Sequence, residues 1–215
     1  MKTVKIQTAF FFKEDYNKAF ESFSIIVQDV FGQSDRTIYN PIDNSAPSDI
    51  PRVEVRYKDF VISIAKNRID ILMEKLEQFN EYIERFNSIN FLSLGVQIKR
   101  IGLVRTYFLE KDISTANNLL NSDFSDLKLK EVNLRINIES EVMAKKCNDI
   151  EKVNVGQLGT KDKNGNEYIV NGYLIDRDIN TSADEVYEIG KGERDELLKS
   201  FLKKTEEYIL KAKLD

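Results

Sequence analysis

Val4, Ile6, Thr8, Phe10 and Phe12 fall on every second position between Lys2 and Phe12, the period of a half-buried strand. The spacing then becomes helical. Glu14 and Asp15 supply acids where a helix N-terminus favours them, and Tyr16, Phe20, Phe23, Val27 and Val30 line one face. Gly32 follows at a C-terminal cap position, so a helix is predicted over residues 14–31. A short strand near residues 37–39 leads into a loop over residues 40–51, which holds all three prolines of the chain. Val53, Val55 and Tyr57 alternate with Arg52, Glu54 and Arg56, and Lys58-Asp59 makes a two-residue turn into Phe60, Ile62 and Ile64. Ala65-Lys66-Asn67-Arg68 is a second turn, and Ile69-Asp70-Ile71 closes the strands of this half. A long amphipathic helix is expected next, over about residues 71–89, with Leu72, Leu76, Phe79, Ile83 and Phe86 on one face.

The second half restarts with an extended stretch over residues 94–110. Its apolar phase changes between Ile98 and Ile101, beside Gly102, and a β-bulge or bend would reconcile the two phases. Asp112-Ile113-Ser114 can cap a short helix running to about residue 121. Leu127 and Leu129, then Val132, Leu134, Ile136 and Ile138, indicate strand with a one-residue shift, and residues 142–158 indicate another. Asp162-Lys163-Asn164-Gly165 is read as a tight hairpin turn, with residues 168–179 as the returning strand. A polar loop over residues 181–192 precedes a closing helix over residues 193–214. In that helix Leu198, Leu202, Thr205, Ile209 and Ala212 repeat the 4-3-4-3 intervals of the earlier one. The expected fold is therefore α+β: antiparallel sheet with two long amphipathic helices, built as a pseudo-duplicated strand-helix-strands-helix unit. Residues 1–90 form the first lobe and 91–215 the second, compatible with one compact domain. This tandem order resembles the TATA-binding-protein-like architecture, with elements of a helix-grip fold.

Charge and composition narrow the function more than they define it. Residues 1–90 hold 12 basic and 14 acidic side chains, and residues 91–215 hold 20 and 22, so each half carries −2. Neither half offers a basic surface for a phosphate backbone, which argues against nucleic acid as a general partner. The chain has no histidine and one cysteine, Cys147. Their scarcity removes Ser–His and Cys–His nucleophile pairs, imidazole metal sites and a structural zinc site within one chain. No cofactor is expected, although carboxylates leave a divalent metal open. The first residues lack the apolar stretch of a secretory signal and no run reaches membrane-span length, so a cytoplasmic protein without membrane attachment is expected. The sequon Asn180-Thr181-Ser182 is accordingly read as chance.

The candidate chemistry lies in the second half. Asp176 and Asp178 stand two apart on a strand, so they share a face and could hold an ion or share acid–base work; the alternative is a solvated face. Arg100 and Arg105 flank Ile101-Gly102-Leu103-Val104. Arg105 shares its phase with Tyr107 and needs a partner if buried, for which Asp176 is one candidate; the alternative to a ligand contact is an internal ion pair or an exposed cation. Arg100, Arg105, Tyr107, Asp176 and Asp178 thus form the candidate ligand-binding set, with no catalytic residue assigned. Lys145-Lys146 could lower the pKa of Cys147, but no histidine assists it and the lone thiol is read as incidental. Gly190-Lys191-Gly192 precedes a helix as phosphate-cradling loops do, but its spacing is not that of a P-loop and Glu188, Glu193 and Asp195 lie close, so it is read as solvated linker. Lys199, Lys203, Lys204, Lys211 and Lys213, interleaved with acids, read as the soluble face of the last helix.

Three segments carry a family resemblance: Ile101-Gly102-Leu103-Val104-Arg105-Thr106-Tyr107, then Leu174-Ile175-Asp176-Arg177-Asp178, then the closing helix with Phe201 and Thr205. Together they resemble a sporadically distributed bacterial family of uncharacterised proteins. Members carry a histidine early in the last helix, where this chain has none, and the family has no activity to transfer. The resemblance implies a bacterial or phage origin. The functional expectation is a non-enzymatic binding protein engaging a protein partner, in bacterial defence or phage counter-defence. The alternative is a binding protein or metal-dependent enzyme for a small, nucleotide-like anionic ligand, which requires Arg105, Asp176 and Asp178 to converge. A homo-oligomer is left open.

Overall fold

The computed structural model describes residues 1–43, 45–111, 131 and 133–207. The first strand, β1 (Lys2–Phe12), buries Ile6, Thr8, Phe10 and Phe12, as its alternation predicts. The chain continues through α1 (Phe20–Phe31), β2 (Arg36–Tyr39), β3 (Val53–Arg56), β4 (Phe60–Ile64), β5 (Arg68–Met73), a single 3₁₀ turn (Leu76–Gln78) and α2 (Phe79–Asn87). It then forms β6 (Ile98–Glu110), β7 (Asn133–Val142), β8 (Lys145–Lys161), β9 (Glu167–Thr181) and α3 (Lys191–Lys204).

All nine strands join one sheet in the order β2-β3-β4-β5-β1-β6-β9-β8-β7, and every neighbouring pair is antiparallel. The strands of residues 1–90 occupy one side and those of residues 91–215 the other, joined by β1 and β6 at the centre. Phe23 and Val27 of α1, Phe79, Ile83 and Phe86 of α2, and Leu197, Leu198 and Phe201 of α3 share one apolar core with Phe10, Ile62, Ile71, Leu103 and Ile179. Each fully buried side chain of this size contributes roughly 1.5–3 kcal/mol. Phe86 stacks on Phe10 with ring centroids 4.7 Å apart, fixing α2 over the central strand. The three helices of the described residues therefore cover the same face, and among those residues the other face carries none.

The phase change near Ile98 is a β-bulge. Phe11 pairs with Arg100 and Phe12 with Ile98, so Lys99 is the extra residue, and both Ile98 and Ile101 reach the core. Elsewhere the structure corrects the expected boundaries. Residues 14–19 are not helical, because Lys13 and Tyr16 donate their backbone N–H groups to Gln97 and Lys66. The helix expected over residues 71–89 is only α2, since Ile71 and Leu72 lie in β5, which is paired on both sides by β1 and β4. Two ladders of hydrogen bonds outweigh helical spacing there.

Met143 and Ala144 turn back between β7 and β8 with φ of 52° and 58°. The predicted continuous strand over residues 142–158 is thus the end of one strand and much of the next. The Asp162–Gly165 turn is present: Gly165 N–H donates to Asp162 O and Asp162 N–H donates to Asn166 O. With Gly165 at φ 86° this makes a tight three-residue hairpin loop closed by a glycine bulge. The short helix expected from Asp112, and Leu127, Leu129, Val132, Ile209 and Ala212, lie outside the described residues. No helix among the described residues is long and apolar enough to cross a membrane.

Candidate functional site

The face opposite the described helices is built from the residues that alternate with the core positions. Around β1 these are Gln7, Ala9 and Phe11, and strand register brings Arg68, Asp70, Arg100, Gly102, Val104 and Thr106 beside them. Asp176, Asp178 and Asn180 follow on β9, opposite Thr106, Val104 and Gly102. Phe11 lies between the two arginines of its neighbouring strands, with the guanidinium carbons of Arg100 and Arg68 at 4.8 and 5.9 Å from its ring centroid. Arg68 also pairs with Asp70 at 2.8 Å, and Asp70 accepts from Gln7 at 3.2 Å.

Asn180 organises the other half of this strip. Its Nδ2 donates to Asp178 Oδ1 at 2.9 Å, while its Oδ1 accepts from Asn148 at 3.1 Å and Arg100 at 3.4 Å. Arg100 Nε donates to Thr181 O at 3.0 Å. Gly102 makes room for this arrangement, because a Cβ there would come within 3.2 Å of Asn180 Cβ. Asp176 Oδ1 accepts from the Thr106 hydroxyl at 2.6 Å. Asp178 is flanked in register by Val104 and Ile150, and burial raises its pKa; Asp176 adds to the shift, while Asn180, Lys152 and Arg135 oppose it. Burial likewise raises the pKa of Asp70, against the opposing pull of Arg68. Charges of both signs are therefore held half-buried and hydrogen-bonded in one strip.

Of the predicted residues, Arg100, Asp176 and Asp178 share this strip. Arg105 and Tyr107 do not. Arg105 is paired with Arg177, and Asp176 with Thr106, so a one-residue offset sends Arg105 and Asp176 to opposite faces. Arg105 instead lies 4.6 Å over the Tyr107 ring, donates to Thr3 Oγ1 at 3.1 and 2.9 Å, and reaches Glu206 at 3.3 Å. Tyr107 OH donates to Thr205 O at 3.0 Å. Both residues tie the end of α3 to the sheet.

Beneath α3, Arg177 pairs with Asp149 at 2.7 Å and with Glu151 at 3.7 Å, and Lys204 reaches Asp149 at 3.3 Å. Cys147 is buried, and burial pushes its thiol pKa up to about 11 despite Lys145 and Lys204. Desolvation thus outweighs the nearby lysines, in keeping with an incidental thiol and not an activated one. Among the described residues, no group of three or more His, Cys, Asp or Glu is placed to hold a metal. Phe11, Arg68, Asp70 and Asn180 are absent from the sequence-predicted set, since only strand register reveals that they adjoin Arg100 and Asp178. In comparisons with known proteins, no family model and no curated protein matches the chain.

Proposed function

We propose that the protein is a non-catalytic binding protein whose sheet face opposite the described helices engages a protein partner. The observation that carries this reading is the strip formed by Arg68, Phe11, Arg100, Asn180, Asp178 and Asp176, where hydrogen bonds and ring stacking hold charges of both signs in place. Interleaved charges suit the mixed surface of a folded protein better than the uniformly negative backbone of a nucleic acid. A rigid β surface also binds at low cost in conformational entropy. The setting proposed is the cytoplasm of a bacterium, in defence or phage counter-defence. The two halves are read as a pseudo-duplicated unit, supported by a shared order in which the first strand of each half (β1, β6) neighbours the last (β5, β9). The anionic-ligand alternative loses its original residue set, because Arg105 and Asp176 face apart.

The test is co-purification of the full chain from its native host, followed by the charge reversal Lys152→Glu on the same face. A partner retained by the wild-type chain and lost by Lys152→Glu, with thermal unfolding unchanged, supports the proposal. Retention of every co-purified protein by the variant, or turnover of a substrate by the pure chain, overturns it.

A further inference from the structure

A cavity of about 570 Å³ opens at the N-terminal end of α3, and Phe91, Val96, Ile98, Ile189, Lys191 and Arg194 are among its lining residues. The wall is mixed: apolar side chains lie beside these two cations, and Asn90, Gln97 and Glu188 also line it. Arg194 is only 4% exposed, and its guanidinium carbon lies 4.7 Å from the Phe91 ring centroid. Among the described residues its side chain has no hydrogen-bond or ion-pair partner, and its Nε is buried without an acceptor. Burial alone brings its pKa down to about 10, with no carboxylate opposing the shift. A buried cation normally requires a counter-charge, so its isolation on a cavity wall calls for a negative ligand.

The backbone adds a second attraction. α3 runs for 14 residues from Gly190, which provides no side-chain cap, so the first N–H groups and the positive end of the helix dipole lie at the cavity. Three nearby acids are engaged by lysines: Glu188 with Lys13 at 3.2 Å, Glu193 with Lys145 at 2.8 Å, and Asp195 with Lys199 at 2.6 Å. The reading of residues 190–192 as plain solvated linker is therefore incomplete.

We propose that this cavity binds a small organic carboxylate, held by Arg194 and the uncapped start of α3, with its hydrocarbon or aromatic body against Phe91, Val96, Ile98 and Ile189. A guanidinium fork matches the planar geometry of a carboxylate. The volume falls within the roughly 300–1,000 Å³ typical of small-molecule sites. A bare phosphate would leave the apolar side chains of the wall unused.

The test is calorimetric titration of the full chain with 3-phenylpropionate, its alcohol 3-phenyl-1-propanol, and inorganic phosphate. The acid should bind and the alcohol and phosphate should bind at least about ten-fold more weakly, the scale of a lost charge-assisted contact. Arg194→Met should weaken the acid by a similar factor while the melting temperature holds or rises, because the substitution removes a buried charge that no carboxylate among the described residues neutralises. Arg194→Lys, which retains the charge without the fork, should fall between them. No binding of the acid, equal binding of the alcohol or of phosphate, or undiminished binding by Arg194→Met would overturn the assignment.

Discussion

Asn180 donates a hydrogen bond to Asp178 across 2.9 Å, which opposes but does not cancel the effect of burial on that carboxyl group. The folded-state pKa of Asp178 is raised, so the folded protein holds its proton more tightly than the unfolded chain. By linkage, its contribution to stability is present below the ordinary carboxylate pKa and is lost as pH rises through the raised value. Asp178→Asn removes this dependence. Denaturant unfolding across a pH series should show the variant gaining on the wild-type chain as pH rises out of the ordinary carboxylate range, then holding a constant advantage. A difference independent of pH would contradict the raised pKa.

Arg105→Met should lower stability without altering the sheet face opposite the described helices. The substitution leaves Thr3 Oγ1 without its two guanidinium donors and breaks the contact to Glu206, whose exposure makes it the weaker loss. A cost of about 1–2 kcal/mol is expected from the hydrogen bonds, or a fall of a few degrees in melting temperature. An unchanged melting curve would show that Arg105 does not tie α3 to the sheet.

Arg177→Met should be the more damaging change. Asp149 and Glu151 would keep their burial and lose a cation, and breaking such a pair from one side costs about 3–5 kcal/mol. Chemical denaturation of both variants side by side checks the order.

The turn at Met143-Ala144 places two non-glycine residues at positive φ, 52° and 58°. Replacing them with Asn-Gly, which adopts this geometry at lower strain, should stabilise the chain by roughly 1–2 kcal/mol. A shift of the urea midpoint to higher concentration with an unchanged slope is the expected result.

Cys147 should react with a disulfide reagent such as DTNB far more slowly in the native chain than in urea. At pH 8 its thiol, with a pKa of about 11, is almost wholly protonated as well as buried. Equal rates in both states would contradict this.

How much of this was legible in the sequence depended on whether the signal was local. The bulge at Lys99 shows because two apolar phases meet within four residues, and the loop at Gly165 shows because Asn-Gly announces positive φ. The turn at Met143-Ala144 carries no such residue and is imposed by the pairing of β7 with β8. Leu72 fits a helical stripe as well as a strand, and only the partners of β5 decide between them. The candidate site was half legible for the same reason. Spacing places Asp176 and Asp178 together, but the neighbours Phe11, Arg68 and Asn180 come from other strands and depend on register. Arg194 gave no signal, since a missing partner is visible only in three dimensions.

The position of β1 also governs how the chain folds. β1 can close on β5 once residues 68–73 are available, yet its other edge waits for β6 at residues 98–110. Until then the partly made protein displays an apolar strand edge, Ile6 to Phe12, of the kind that recruits strands from other chains. Sheet completion through such distant pairings is slow compared with local helix formation. Expression at lower temperature should therefore raise the soluble yield, and slower synthesis across residues 74–97, which prolongs the exposed edge, should lower it, without any change in the stability of the finished fold.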